Sequence, residues 1–285
     1  FDAGKALEWS QIALTYDQDH ILALQSVARL AAVTGNLEQS LAATTLLVEK
    51  DGPRRDTWLL FRSTQLCRLG RAEEALRDMD AVVAREPDAP RSHIARAQIH
   101  RWLGDFSAAV EDYTRAIELA TRAGQPVSWY HYHRGTPLWI VGHPEEAARD
   151  FRLAYQQLAR ASFGNARLVL ILRELGRHEE AEEALAESRL HTGGDAWLDR
   201  VLACLAGEVT PEELVAAAGP GNSQRLCEAH YYAGEVYLGL GRHEDARRMF
   251  QACTTAGTAV DQGNFQDRLS EFDLARWRLS LLDGR

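Results

Sequence analysis

Glycine recurs along this chain at a nearly fixed interval, at residues 35, 70, 104, 142, 176, 207 and 241, with spacings of 35, 34, 38, 34, 31 and 34. Its neighbours recur with it. Leu69-Gly70-Arg71-Ala72-Glu73-Glu74-Ala75, Leu175-Gly176-Arg177-His178-Glu179-Glu180-Ala181 and Leu240-Gly241-Arg242-His243-Glu244-Asp245-Ala246 share one pattern, and Leu103-Gly104-Asp105-Phe106 and Val141-Gly142-His143-Pro144 vary it. A period of this size means one supersecondary unit repeated, each unit too small to bury its own apolar face and so stacked on its neighbours. By length alone, 285 residues read as two domains. The period makes one array the expectation instead.

A second regularity lies behind each glycine: Ala75 then Met79, Ala109 then Tyr113, Ala147 then Phe151, Ala246 then Phe250, with Pro87 closing one unit. Two helices that cross closely need small residues at the contact, and Gly lets the chain reverse between them. The whole pattern resembles the tetratricopeptide repeat, a helix-turn-helix unit of 34 residues. The resemblance implies an all-α, right-handed superhelical solenoid of bacterial type with a carboxyl-terminal capping helix.

With the turn Gly as place 15, units begin at Ile21, Asp56, Pro90, Ser128, Ser162, Gly193 and Cys227. The expected organisation is a single solenoid over 1–285. It comprises the second helix of a truncated repeat (1–20), five units (21–192), a degenerate unit (193–226), a last unit (227–260) and a cap (261–285). Because Phe1 falls at place 15 of an earlier unit, the chain is expected to be part of a longer protein or one processed at its amino end. In the degenerate unit, a helix from about Asp195 to Ala206 precedes Thr210, an N-cap, and Pro211 at the first helical position. Gly219-Pro220-Gly221-Asn222 then breaks the array. A loop is expected over 257–263, then a helix from about Phe265 to Leu282 with Phe272, Leu274, Trp277 and Leu281 on its apolar face.

Charges test the register. Place 7 is Arg62, Arg96 and Arg134 in three successive units, and place 23 is Asp78, Asp112 and Asp150 in the same three. In the units beginning at 21, 162 and 227 both places are uncharged: Val27 with Ala43, Leu168 with Ala184, Ala233 with Met249. Charges that come and go together predict an ion pair between the two helices of one unit, partly buried.

The remaining chemistry is sparse. Hydrophobic residues make up 46% and charged residues 26%, and no apolar run approaches the roughly 20 residues a membrane span needs. Disordered, collagen-like and transmembrane classes are excluded. The net charge of −9 argues against a dedicated nucleic-acid binder, and no functional weight attaches to Arg making up 30 of the 32 basic residues. Cys67, Cys204, Cys227 and Cys253 have no CxxC spacing and form no disulfide framework. His178-Glu179 and His243-Glu244 lack the second His of HExxH, and His131 and His133 point to different helix faces. Gly239-Leu240-Gly241 is a repeat turn with no strand before it. No cofactor, metal or catalytic constellation is expected, and the protein reads as a non-enzyme.

Partners of such a solenoid usually lie along the concave face formed by the first helix of each unit. Places 2, 5, 9 and 12 form one stripe of that helix, with place 13 beside it. The candidate partner-binding residues are Thr64, Arg68, Gln98, Arg101, Trp102, Trp129, Tyr132, Trp139, Phe163, Arg173 and Tyr231. Aromatics and Arg supply most hot-spot energy, and Thr and Gln can pair with a partner's backbone amides. The competing reading for Trp129 and Trp139 is that they close gaps between units. Places 5 and 9 carry Gln25/Arg29, Leu60/Thr64 and Ile94/Gln98, which departs from the Lys and Asn with which one subset of the family grips chaperone tails.

A narrower resemblance covers about 80 residues. Leu205-Ala206-Gly207-Glu208-Val209-Thr210-Pro211-Glu212-Glu213-Leu214, the stretch Cys227-Glu228-Ala229-His230-Tyr231-Tyr232-Ala233-Gly234-Glu235-Val236-Tyr237-Leu238, and Asp273-Leu274-Ala275-Arg276 are similar to the end of bacterial tetratricopeptide lipoproteins of the NlpI kind. That implies an envelope adaptor, whereas free thiols lean toward a reducing cytoplasm, so the compartment stays open. The expected function is a non-catalytic scaffold that binds a peptide or protein segment along the concave face. The alternative is a regulatory or substrate-recruiting region of a larger bacterial kinase or protease, and a third reading is self-association through the ends of the array.

Overall fold

Each recurring glycine ends a helix. All seven have φ between 70° and 87°, a left-handed conformation that costs other L-residues about 1 kcal/mol or more. Gly70 shows its use: its N–H donates to the Cys67 carbonyl at 3.0 Å and the Arg71 N–H to the Leu66 carbonyl at 2.8 Å. Those two bonds are a Schellman cap, which satisfies carbonyls that the helix leaves orphaned. The same pair of bonds recurs around Gly142, Gly176, Gly207 and Gly241. The Arg that follows the glycine reaches the first turn of the next helix, Arg71 to Glu74, Arg177 to Glu180 and Arg242 to Asp245, each at 2.6 Å. Leu-Gly-Arg with acids behind it is therefore a helix stop, a reversal and a helix start. These exposed pairs help mainly by placing negative charge at a helix N-terminus.

The structure is a computed structural model that describes residues 2–158, 162–261 and 270–284. The described residues fall into two compact units, one up to Leu103 and one from Gly104 on. The first holds α1 (Ala3–Tyr16), α2 (Ile21–Val33), α3 (Leu37–Lys50), α4 (Arg55–Arg68), α5 (Ala72–Arg85) and α6 (Pro90–Leu103). The second holds α7 (Phe106–Arg122), α8 (Ser128–Ile140), α9 (Pro144–Leu158), α10 (Phe163–Glu174) and α11 (His178–Leu190). It continues with α12 (Ala196–Leu205), α13 (Pro211–Ala218), α14 (Ser223–Gly239), α15 (His243–Asp261) and α16 (Ser270–Leu282). Among the described residues there is no strand. Within each unit, successive helices pack on one another, α1 on α2 through α5 on α6 in the first and α7 on α8 through α15 on α16 in the second.

Small residues let the paired helices approach. Ala75, Ala109, Ala147, Ala181 and Ala246 have no exposed surface. A ring from the second helix fills the space over a glycine of the first. A Cβ at Gly135 would come within 2.7 Å of the Phe151 ring, and one at Gly234 within 2.6 Å of Phe250. The charged pairs hold in the same hairpins. Arg62 grips Asp78 with Nε at 2.7 Å and a terminal nitrogen at 2.6 Å, and Arg134 grips Asp150 at 2.7 and 2.9 Å. Arg96 and Asp112 fall in different units, and within its own unit Arg96 meets Asp80 at 2.9 Å.

The degenerate unit forms from its local signals. Asp195 caps α12, and Thr210 and Glu213 make a reciprocal capping box at α13. Two boundaries differ from expectation. α14 begins at Ser223, four residues before Cys227, because the Asn222 side chain caps it at the Arg225 N–H. α15 runs through Gly257 to Asp261, where a loop was expected. Gly257 is buried, and any Cβ there would clash with the Phe272 ring of α16, so that glycine serves close helix packing. The rest of the expected loop, and the start of the expected last helix near Phe265, lie outside the described residues. On α16 the buried residues are Glu271, Phe272, Asp273, Leu274, Ala275 and Arg278, so Phe272 and Leu274 face inward as expected, and Leu281 is 51% exposed. A helix turns about 100° per residue, so the buried face continues to the partly buried Leu282 rather than to Leu281.

Candidate functional site

In the first unit, the expected contact stripe lies on α4 and α6, which also touch each other. Thr64, Arg68, Gln98 and Trp102 are half-buried and Arg101 is buried. The Thr64 hydroxyl donates to the Leu60 carbonyl at 3.4 Å. Arg68 is the unusual member: its Nε is buried and meets no acceptor among the described residues. A buried donor left unpaired costs about 1–3 kcal/mol.

In the second unit, the same stripe is largely consumed by the chain itself. Trp129 remains 43% exposed, with its ring 3.9 Å from His133. Tyr132 packs edge-on to Phe151 beneath the Arg167 guanidinium, and Phe163 stacks on Tyr232 at 6.1 Å. One terminal nitrogen of Arg173 donates to Glu182 at 2.8 Å and to the Leu205 carbonyl at 3.0 Å. Trp139 is 1% exposed, under the edge of Trp277 from α16, and Tyr231 is fully buried beside Tyr232 and Phe250. Trp139 and Tyr231 therefore offer no surface to a partner while α16 is in place, against the expectation of an open groove. His131 Nδ1 donates to the Asp150 carboxylate at 2.7 Å while His133 stacks on Tyr113, so the two histidines serve different neighbours.

What α16 meets on this face is a set of buried charges. Arg167, on α10, donates to Glu271 at 2.6 Å, and both are 2% exposed. Burial opposes the Arg167 charge, but the Glu271 carboxylate outweighs it and holds the guanidinium pKa well above its ordinary value. Tyr232 donates to the same carboxylate at 3.0 Å. Arg278 donates to both oxygens of Glu235, at 2.7 and 3.1 Å, and to Glu174 at 2.8 Å. Glu228 accepts from Trp197 Nε1 at 2.6 Å and from Gln224 at 3.1 Å. Burial, then the neighbouring Glu271 charge, pushes Glu228 up to about 7. None of these was among the candidate residues. The available signal was Arg167 alone in the apolar run Ala166 to Leu172, because a cation there demands a buried carboxylate.

Beside Arg278 a cavity of about 730 Å³ remains between α10, α12 and α14, walled by Leu170, Leu205, Val236 and Leu238 with Arg173 and Glu174 at its edge. Burial pushes the Cys67 thiol up to about 12, and burial with Glu212 pushes Cys204 up to about 11. Neither is a nucleophile at neutral pH. Among the described residues no helix is long and apolar enough to cross a membrane.

Capped helical hairpins, closed on small residues and tied by charges that face one another, define a helical-repeat protein. Residues 90–122 and 228–255 each match the tetratricopeptide repeat family, and the chain has the all-α helical-hairpin fold of such repeats. A tetratricopeptide repeat protein from Parabacteroides merdae superposes with a TM-score of 0.61 at 15% identity, over 93% of this chain and 99% of that one. The C-terminal part of a repeat-containing protein from Cytophaga hutchinsonii gives 0.50 at 12% identity, over 90% and 94%. A MamA protein gives 0.52 at 14% identity, over 59% of this chain and 90% of that one. At these identities the likeness is one of fold.

Proposed function

We propose that this chain is a non-catalytic interaction scaffold that holds a peptide or protein segment along the first helices of its repeats, in the first unit through α4 and α6. The observation that carries the reading is Arg68, whose buried Nε–H lacks an acceptor on a stripe where Thr64 and Gln98 are half-exposed. A guanidinium is among the side chains that most often anchor an interface, and the half-buried Arg68 still presents part of its side chain to a partner's carbonyl or carboxylate. A resemblance read from the sequence between residues 205–276 and lipoproteins of the NlpI kind would fit an adaptor role in a bacterium.

A displayed peptide library panned on the immobilised full chain tests this. Enriched peptides are expected to lose about tenfold or more in affinity on an Arg68→Ala/Gln98→Ala variant, in keeping with hot-spot losses at other interfaces. Peptides that bind the variant as tightly as the parent would refute the assignment.

A further inference from the structure

The face of the second unit that α16 covers reads charge. Arg167 and Glu174 are seven residues apart on α10, and Glu271 and Arg278 are seven apart on α16. Arg167 meets Glu271 at 2.6 Å and Glu174 meets Arg278 at 2.8 Å. Seven residues are two turns, about 10.5 Å, so the charges on the two helices match in spacing and pair in the same chain order, while α16 itself packs against α15, α14 and α8. Glu235 on α14 grips Arg278 from a second side. Between the charges on α16, Leu274 and Ala275 are both without exposed surface.

Beside the buried Arg134–Asp150 pair, the hairpin cores of the same unit carry apolar contacts at Ala147, Phe151, Ala246 and Phe250, whereas α16 is held by buried charges toward both of its ends. Buried ion pairs add little net stability over well-packed apolar residues. They penalise a wrong register or a wrong partner heavily, since each unmatched charge stays buried.

We infer that the inner face of the second unit, built by Arg167, Glu174 and Glu235, is a recognition site for an amphipathic helix of a partner protein carrying a carboxylate and, two turns later, a guanidinium around a small apolar patch, and that α16 is its occupant in cis. A tethered helix competes at millimolar effective concentration, so α16 sets a threshold that a partner must exceed. The site is separate from the Arg68 stripe, and its test leaves that stripe unaltered.

The probe is a fluorescent peptide of residues 270–283, titrated into the full chain by anisotropy. In a Phe272→Ala/Arg278→Ala chain, whose own helix is weakened, the peptide is expected to bind at least about tenfold more tightly than in the parent, because cis competition is relieved. A peptide with Glu271→Arg and Arg278→Glu is expected to lose that binding, as is the weakened chain when it also carries Arg167→Ala. Equal binding of the charge-exchanged peptide, or no gain in the weakened chain, would overturn the inference. Hydrogen exchange on the unaltered protein gives an independent check that needs no variant to fold. Amides of α16 are expected to exchange at least about tenfold faster than those of α14, as an element that opens locally should, and equal protection would mean that α16 leaves only on global unfolding.

Discussion

Removing the Asp150 carboxylate measures what the charged pairs contribute. Asp150 is 3% exposed at its side chain and accepts two bonds from Arg134 and a contact from His131, all between 2.7 and 2.9 Å. In Asp150→Ala, Arg134 keeps only its 2.9 Å bond to Thr114. Breaking one side of a buried pair costs about 3–5 kcal/mol. Arg134 is 16% exposed and regains some hydration, which places the loss at the lower end, about 3 kcal/mol. The neighbouring repeat shows the repair, because Leu168 and Ala184 stand at the two equivalent places without charge. Arg134→Leu/Asp150→Ala copies that arrangement and should lose only about 1–2 kcal/mol, the residue being His131 without its acceptor. Urea titrations followed by far-UV circular dichroism would read the two variants and Arg134→Leu alone. The expected coupling exceeds about 1.5 kcal/mol, well above what independent sites show. Asp78→Ala should cost less than Asp150→Ala, because the Arg62–Asp78 pair is more exposed, at 21% and 11%. Simple additivity of the two changes, or equal losses at Asp78 and Asp150, would refute the reasoning. The pH dependence follows from the shift. Burial alone would raise the Asp150 pKa, but the bonds from Arg134 and His131 outweigh it and hold the carboxyl below its ordinary value. Its contribution is therefore full above about pH 4 and lost as pH falls through the depressed folded value.

Two further outcomes follow from the same structure. Gly234→Ala gains about 1 kcal/mol of helix propensity but forces a Cβ to within 2.6 Å of the fully buried Phe250 ring, where overpacking costs about 1–3 kcal/mol. Its melting midpoint should fall, whereas Gly239→Ala on the same helix, with open space around it, should not lower the midpoint. The reverse order in differential scanning fluorimetry would contradict the packing argument. Glu228, raised to about 7 in the folded state, binds its proton more tightly there than in the unfolded chain. It therefore makes stability decline as pH rises from about 4.3 through 7. Glu228→Gln keeps an acceptor for Trp197 Nε1 and should flatten that decline in chemical denaturation series, and an unchanged slope would assign it to another group.

Most of the helical architecture was legible in the residue order because its causes are local. A Schellman cap is settled by the residues around one glycine, as at Leu66 to Arg71, and the N-caps at Asp195 and Thr210 by the next three residues. The pairs Arg62–Asp78 and Arg134–Asp150 were legible for a related reason: both members lie sixteen residues apart in one hairpin, so the hairpin's own geometry brings them together. The last helix was harder. Its stripe read as an ordinary apolar cap, because Glu271 and Arg278 look like surface residues until their partners are known.

Each has a partner 104 residues away in the chain, on α10, and another 39 or 43 residues away on α14. No local pattern specifies a contact at those separations, because it depends on where whole helices come to rest. The same placement buries Trp139 under Trp277 and turns an expected open groove in the second unit into an occupied one. Periodicity and turn chemistry thus determined which residues form hairpins, since those forces act within a few residues. Only the tertiary structure decided which face α16 covers, because burying a charge is tolerable only where a counter-charge already stands.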